Sequence, residues 1–229
     1  MGETATLDDE LFSSIYDTML QRLSDKKPTV RVQAILALNR LQEPQNKECP
    51  VINAYQYHMA VDPSSDVRRA ALVNTAITFK TLPGVLKRTR DKVPTVRRQA
   101  YLVIAQKVHL KSLQIEQRVQ LLSEGLNDRN DLVKSAVQKT LLQAWLRFVN
   151  GSILDLLTSL DVETSTKVAE LSLEKFFQDI PCSKLVQDFG LLDSNKILPY
   201  EQLKPGVLKK IAEIVFRKID YKKNEVAQI

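Results

Sequence analysis

The ten residues Asp25-Lys-Lys-Pro28-Thr-Val30-Arg31-Val-Gln-Ala34 return as Asp91-Lys-Val-Pro94-Thr-Val96-Arg97-Arg-Gln-Ala100, changed only at the third and eighth positions. A looser copy runs Pro63-Ser-Ser-Asp66-Val67-Arg68-Arg-Ala70, and a fourth runs Asn127-Asp128-Arg-Asn-Asp131-Leu-Val133-Lys134-Ser-Ala136. The four valines, at 30, 67, 96 and 133, are separated by steps of 37, 29 and 37 residues. The mean step, about 34, is in the range of helical-repeat arrays.

Each copy has the composition of a helix start. Proline is tolerated in the first helical turn, because the N–H it lacks has no intrahelical partner there. Asp, Asn and Ser just before it can cap the free N–H groups. Downstream, Val30, Ala34, Ala37, Leu38 and Leu41 recur at helical spacing, as do Val133, Ala136, Val137, Leu141 and Trp145. These sets predict buried stripes. The alanine of each phrase lets a neighbouring helix approach closely, and Leu141, Trp145 and Phe148 are expected between helices. A second helix is expected before each phrase, through Leu11–Leu23, Leu82–Arg90 and Ile115–Leu126. Asn150-Gly151 reads as a helix stop. Beyond it, Ile153–Leu160 and Thr164–Phe177 make a fifth pair.

Composition agrees with stacked helices. The 229 residues include only 6 Gly, where average usage predicts roughly 16. This deficit argues against turn-rich β folds and glycine-rich phosphate loops. Cys49 and Cys182 are too far apart in sequence for a CxxC zinc site and are too few for a disulfide framework. The acid-bearing start, Met1–Leu11, does not read as a secretion signal, and no apolar run has the length of a membrane helix. An intracellular, reducing environment is therefore expected, and Asn150-Gly151-Ser152, although it matches a glycosylation sequon, is read as the turn. His58 and His109 stand isolated, which predicts packing or surface roles, not metal ligation or base catalysis.

The pattern Pro-x-Val-Arg-x-x-Ala after an Asp-containing turn resembles the HEAT repeat. The expected fold class is all-α, a HEAT-repeat α-solenoid forming a right-handed superhelix of antiparallel helix pairs. Residues 1–204 are expected to form about five helix pairs, as an internal slice of a longer array. Residues 205–229 are expected to be a divergent segment of helical period, through Val207, Leu208, Ile211, Ile214, Val215 and Ile219.

Longer runs are more specific. Lys27 to Gln42, Glu48 to Tyr55, Asp66-Val-Arg-Arg-Ala-Ala71, Lys80-Thr-Leu-Pro83 and Arg88-Thr-Arg-Asp91 are similar to the subunit 3 family of the condensin complex, its non-SMC HEAT-repeat component. So are Gln117-Arg-Val-Gln-Leu-Leu122, Gly125-Leu-Asn-Asp-Arg129, Gln143-Ala-Trp-Leu-Arg147 and Leu160-Asp-Val-Glu163. The resemblance covers about residues 10 to 203, and the family's chains are several times longer. It implies a non-catalytic scaffold, with ATP hydrolysis in other subunits. It further implies binding of the condensin kleisin, indirect contact with the other condensin subunits, and a grip on double-stranded DNA for mitotic chromosome condensation. Residence in nucleus and cytoplasm and on mitotic chromosomes is implied as well. No cofactor, metal, membrane or small-molecule substrate is expected. The alternative is a generic intracellular HEAT adaptor that binds protein but not DNA. An enzyme on such a solenoid, for example a DNA glycosylase, needs an acid and aromatics beside a basic face. Here Asp91 stands alone in the basic stretch, and Trp145 is in another repeat.

Charge is distributed unevenly. The whole chain has 33 Lys plus Arg against 27 Asp plus Glu, for +6. Between Arg68 and Lys111 there are eleven basic residues and one acid, Asp91, so this stretch carries +10 and the remainder −4. Such a stretch suits sequence-independent phosphate contacts, and its few aromatics, Phe79 and Tyr101, favour duplex over stacked single strands. The DNA-binding candidates are Arg69, Lys87, Arg88, Arg90, Lys92 and Arg98. HEAT repeats also stack the Asp of one turn against the Arg of the next. The candidates for that ladder are Asp25, Arg31, Arg68, Asp91, Arg97 and Asp128.

Overall fold

The computed structural model describes residues 8–161, 164–177, 192–193 and 196–197. Eleven helices are found among them: α1 (Asp9–Arg22), α2 (Pro28–Leu38), α3 (Pro50–Val61), α4 (Ser65–Asn74), α5 (Leu82–Lys87), α6 (Pro94–Lys107), α7 (Ile115–Leu126), α8 (Asp131–Ala136), α9 (Leu142–Phe148), α10 (Ile153–Thr158) and α11 (Thr166–Phe177). The chain divides into two compact units, Met1–Val108 and His109–Ile229. That division falls inside the stretch read as one array. The segment 205–229, Cys182 and the Val207–Ile219 helical pattern lie outside the described residues. Leu192–Asp193 and Lys196–Ile197 form a two-residue antiparallel pairing, and the described architecture is otherwise helical.

In the first unit each phrase opens a helix as its residues require. Pro28 and Pro94 occupy the first turns of α2 and α6, and Ser65 begins α4. The phrase helices form one layer, α2 against α4 and α4 against α6, while α1, α3 and α5 pack on α2, α4 and α6 in turn. Val67, Val96 and Ala100 are fully buried between them, and Ala34 nearly so. Ala37 lies on the exposed side of α2, and Val30 and Leu41 are half-buried. Ile35, in the same turn, has the core position with no exposed surface. The helix therefore turns its stripe toward Arg31, Ala34, Ile35 and Leu38.

Polar clamps hold successive repeats of this unit together. The Gln42 amide donates to the Asn74 carbonyl at 2.7 Å and accepts from the Ala76 N–H at 2.8 Å, satisfying backbone groups at the end of α4. Lys107 Nζ donates to the Val73 carbonyl at 2.6 Å, a cation at the negative end of that helix dipole. The Tyr55 hydroxyl donates to the Ile35 carbonyl.

In the second unit α7 carries a reciprocal capping box between Gln114 and Gln117. α8 runs into α9 through a π-helical turn, Val137–Leu141. Val133, Val137, Leu141 and Trp145 are buried to 0% exposure. Phe148 departs from the expected core: it is 42% exposed, and its ring rests on His109 with centroids 4.5 Å apart. α9 ends in a Schellman arrangement. The Gly151 N–H donates to the Leu146 carbonyl at 2.9 Å and the Asn150 N–H to the Arg147 carbonyl at 3.1 Å. Asn150, at φ 54°, takes the left-handed position and Gly151 follows at φ 79°, as the dipeptide predicts.

Candidate nucleic-acid interface

The turn before each phrase helix is built the same way. Oδ1 of Asp25, Asp62, Asp91 and Asp128 accepts from the N–H two residues on, at 2.8, 2.9, 2.9 and 2.8 Å. Aspartate closes such turns through its own side chain. Six residues after the first three of these stand Arg31, Arg68 and Arg97. Each reaches back with Nη1 to the carbonyls six and five residues earlier, at 2.9 and 3.3 Å, 2.9 and 3.2 Å, and 3.0 and 3.4 Å. The rest of the fork reaches forward. Arg31 Nε and Nη2 donate to Asp62 at 2.8 and 2.7 Å, and Arg68 Nε and Nη2 donate to Asp91 at 2.8 and 2.7 Å. A planar bidentate fork suits this double role. In the fourth copy Lys134 takes the equivalent place and pairs with Asp131 at the surface, at 2.9 Å.

Two features of this ladder differ from the sequence expectation. Asp62, absent from the expected set, is the partner of Arg31. Its carboxylate also lies 3.0 Å from His58 Nδ1, so His58 is packed into this rung. Asp25 is approached by Arg22, at 3.7 Å, and its carbonyl serves Arg31. The signal for Asp62 was present as an Asp six residues before Arg, repeated at 25/31, 62/68 and 91/97.

Burial pushes the Asp62 carboxyl up, but hydrogen bonds from Arg31, the Ser64 N–H and His58, together with the Arg31 charge, outweigh it and hold the group below its ordinary value. Burial acts on Asp91 in the same sense. There the hydrogen bonds from Arg68 and the Val93 N–H, with the charges of Arg68 and Arg88, bring the carboxyl below its ordinary value. Both pairs are therefore ionised through the neutral range.

This ladder removes part of the basic stretch from the surface. Arg68 and Arg97 are buried, at 3% and 6% exposure. Lys80 ties to Asn53 Oδ1 at 2.8 Å, and Lys107 is held at Val73. Arg88, expected to face phosphate, has a side chain only 17% exposed and bonded to Asp91 at 3.1 Å. Its position three residues before that carboxylate draws the guanidinium inward.

Arg69, Lys87, Arg90, Lys92 and Arg98 are exposed. They cluster at one end of the helices. Arg69 and Arg98 hold the same position, one turn into α4 and α6, and the other three occupy the end of α5 and the turn into α6. The two helices that carry Arg69 and Arg98, α4 and α6, pack against one another. Arg69 has Asp66 at 3.5 Å, both at the surface. The first repeat adds Lys26 and Lys27, exposed in the equivalent turn and outside the segment singled out by charge. Lys26 follows its Asp as Lys92 follows Asp91, and that correspondence was the available signal. Among the described residues no group of three or more His, Cys, Asp or Glu side chains is placed to hold a metal, and no helix is long and apolar enough to cross a membrane.

Helix pairs with an Asp-closed turn and an arginine ladder define an all-α HEAT-repeat solenoid. No family model matches the chain. It is 50% identical over 207 residues to condensin complex subunit 3 of Homo sapiens, covering 90% of this chain and 20% of that protein. It is 36% identical over 183 residues to condensin complex subunit 3 of Schizosaccharomyces pombe, covering 79% of this chain and 21% of that one. Among solved structures, the S. pombe condensin Cnd3–Cnd2 subcomplex matches with a TM-score of 0.78 and 31% identity, over 97% of this chain and 28% of that chain. The chain is thus homologous over most of its length to condensin complex subunit 3, and it spans about one fifth of the length of the curated relatives it matches.

Proposed function

We propose that this chain acts as a non-catalytic scaffold of condensin type, holding duplex DNA by its phosphates and a segment of the condensin kleisin by its helices. The supporting observation is the exposed basic end of the helices: Arg69, Lys87, Arg90, Lys92 and Arg98 lie outside while the ladder arginines are turned inside. Phosphate contacts of this kind release condensed counterions and are indifferent to base sequence. Arg69 and Arg98 supply forked donors and Lys87 and Lys92 point charges. The kleisin partner is supported by the likeness to a two-protein assembly, the S. pombe Cnd3–Cnd2 subcomplex. Chemistry at ATP belongs to other subunits in this reading. The chain resides in nucleus and cytoplasm and on mitotic chromosomes.

The test is equilibrium binding to duplex DNA across a salt series, alone and with a kleisin peptide. Binding whose logarithm falls linearly with the logarithm of salt supports the reading. A folded chain that binds the peptide but not DNA would make it a protein-binding adaptor.

A further inference from the structure

Among the described helices, α3 alone contains no Asp, Glu, Lys or Arg. One side of it faces the core, through Val51, Ile52, Tyr55 and Met59, all buried. On the other side Pro50, Tyr57, Ala60 and Val61 recur at helical spacing and are exposed. Tyr57 is 64% exposed and Val61 57%. A surface helix ordinarily turns charged and polar residues outward. An outer face that is apolar instead marks a place of contact with another molecule.

Phe79, 95% exposed, stands beside this face on a loop that is tied down at both sides. The Thr78 N–H donates to Thr81 Oγ1 at 2.8 Å, and the Thr81 hydroxyl donates to the Ala76 carbonyl at 2.7 Å. Gln56 of α3 donates to the Lys80 carbonyl at 2.9 Å, and Lys80 Nζ donates to Asn53 Oδ1 at 2.8 Å. The residue after Phe79 is thereby fastened to α3. An aromatic ring held out by an ordered loop binds with little further loss of backbone freedom.

Charge around the face has one sign. Residues 49–61 and 75–90 contain no Asp or Glu. Lys80 stands at the Asn53 turn, bonded there to neutral oxygens of Asn53 and Lys47. At the other end Arg88 Nη1 lies 3.5 Å from the Ala60 carbonyl, and exposed Lys87 precedes it in sequence. From Asn53 to Ala60 the helix rises about 10 Å. An apolar strip with cations at both ends is complementary to a helix that is apolar on one side and acidic at its margins.

We propose that the outer face of α3, together with Phe79, is the docking site of an acidic amphipathic helical segment of a partner protein. Apolar side chains of that segment cover Tyr57, Val61 and Phe79, and its carboxylates lie against Lys80 and Lys87. This inference does not depend on the DNA or kleisin reading.

The experiment is selection of a random-peptide phage library on the full chain, with peptides that also bind the Tyr57→Ala/Phe79→Ala variant removed. The expected survivors are rich in Asp and Glu and carry large apolar residues three or four apart. The leading peptide, made synthetically and followed by fluorescence anisotropy, should bind about tenfold more weakly to the double variant. It should bind several-fold more weakly to Lys80→Met. Both variants should keep the wild-type helix content by circular dichroism, and Tyr57→Ala/Phe79→Ala should leave duplex DNA binding unchanged. Survivors that are basic or uncharged, no survivors at all, binding insensitive to Lys80→Met, or displacement of the peptide by a kleisin peptide would overturn the proposal.

Discussion

Arg68 and Asp91, 23 residues apart, meet through two parallel hydrogen bonds of 2.8 and 2.7 Å, with side chains 4% and 2% exposed. The same guanidinium holds the carbonyls of Asp62 and Pro63. One side chain thus joins the turn of its own repeat to the turn of the next. Asp91→Ala leaves a buried cation without its counterion and should cost about 3–5 kcal/mol. Chemical denaturation measures it. In an Arg68→Met background the same change should cost clearly less, and equal costs would show that the two side chains are not coupled.

The ladder also makes stability depend on acidity. Asp62 and Asp91 have carboxyl groups held below their ordinary value in the fold. An unfolded aspartate takes up its proton near pH 3.9. The stabilisation is therefore complete above about pH 4 and is lost as pH falls from there through the folded values, because the unfolded chain binds protons first. Denaturant midpoints taken from pH 6 down to pH 3 should converge for the wild type and Asp91→Asn. A difference that persists unchanged at pH 3 would refute this.

Basic residues at the helix ends should act on DNA and not on folding. Arg69→Glu, Lys92→Glu and Arg98→Glu are surface changes and should leave the thermal midpoint nearly unchanged. Together they should weaken duplex binding and flatten the salt dependence by about 0.9 in log–log slope for each phosphate no longer neutralised. Fluorescence anisotropy over a salt series decides the matter. Arg88→Glu should instead lower stability, since it sets a second carboxylate beside buried Asp91.

Ala100 is fully buried in α6, the helix that packs on α4. Ala100→Leu should overfill the space between these helices and destabilise the protein by about 1–3 kcal/mol. A wild-type melting temperature would place the position outside the interhelical interface.

Much of the fold was legible because its signals are local. Proline in the first turn, an Asp-closed turn and an apolar stripe each act within a few residues, and α2, α4, α6 and α8 begin where the repeated phrases do. Finer placement was less legible. Ala37 and Phe148 fit the helical period yet lie at the surface, because the angle at which a stripe meets its neighbour is set by the neighbouring helices. The π-turn at Val137–Leu141 has no local residue signature of the kind that proline or glycine supplies.

By itself, the sequence determined the all-α repeat, the positions of the turns and the concentration of positive charge between Arg68 and Lys111. Only tertiary structure decided which of those charges face outward. Arg68 and Arg69 are adjacent in sequence, yet one is 3% exposed and paired and the other is exposed, because successive residues on a helix point about 100° apart. Which of them is buried depends on a carboxylate in the next repeat. Asp62 lies 31 residues from Arg31 and Asp91 lies 23 from Arg68. Repeats of unequal length bring such pairs together through packing, and chain spacing alone does not specify them.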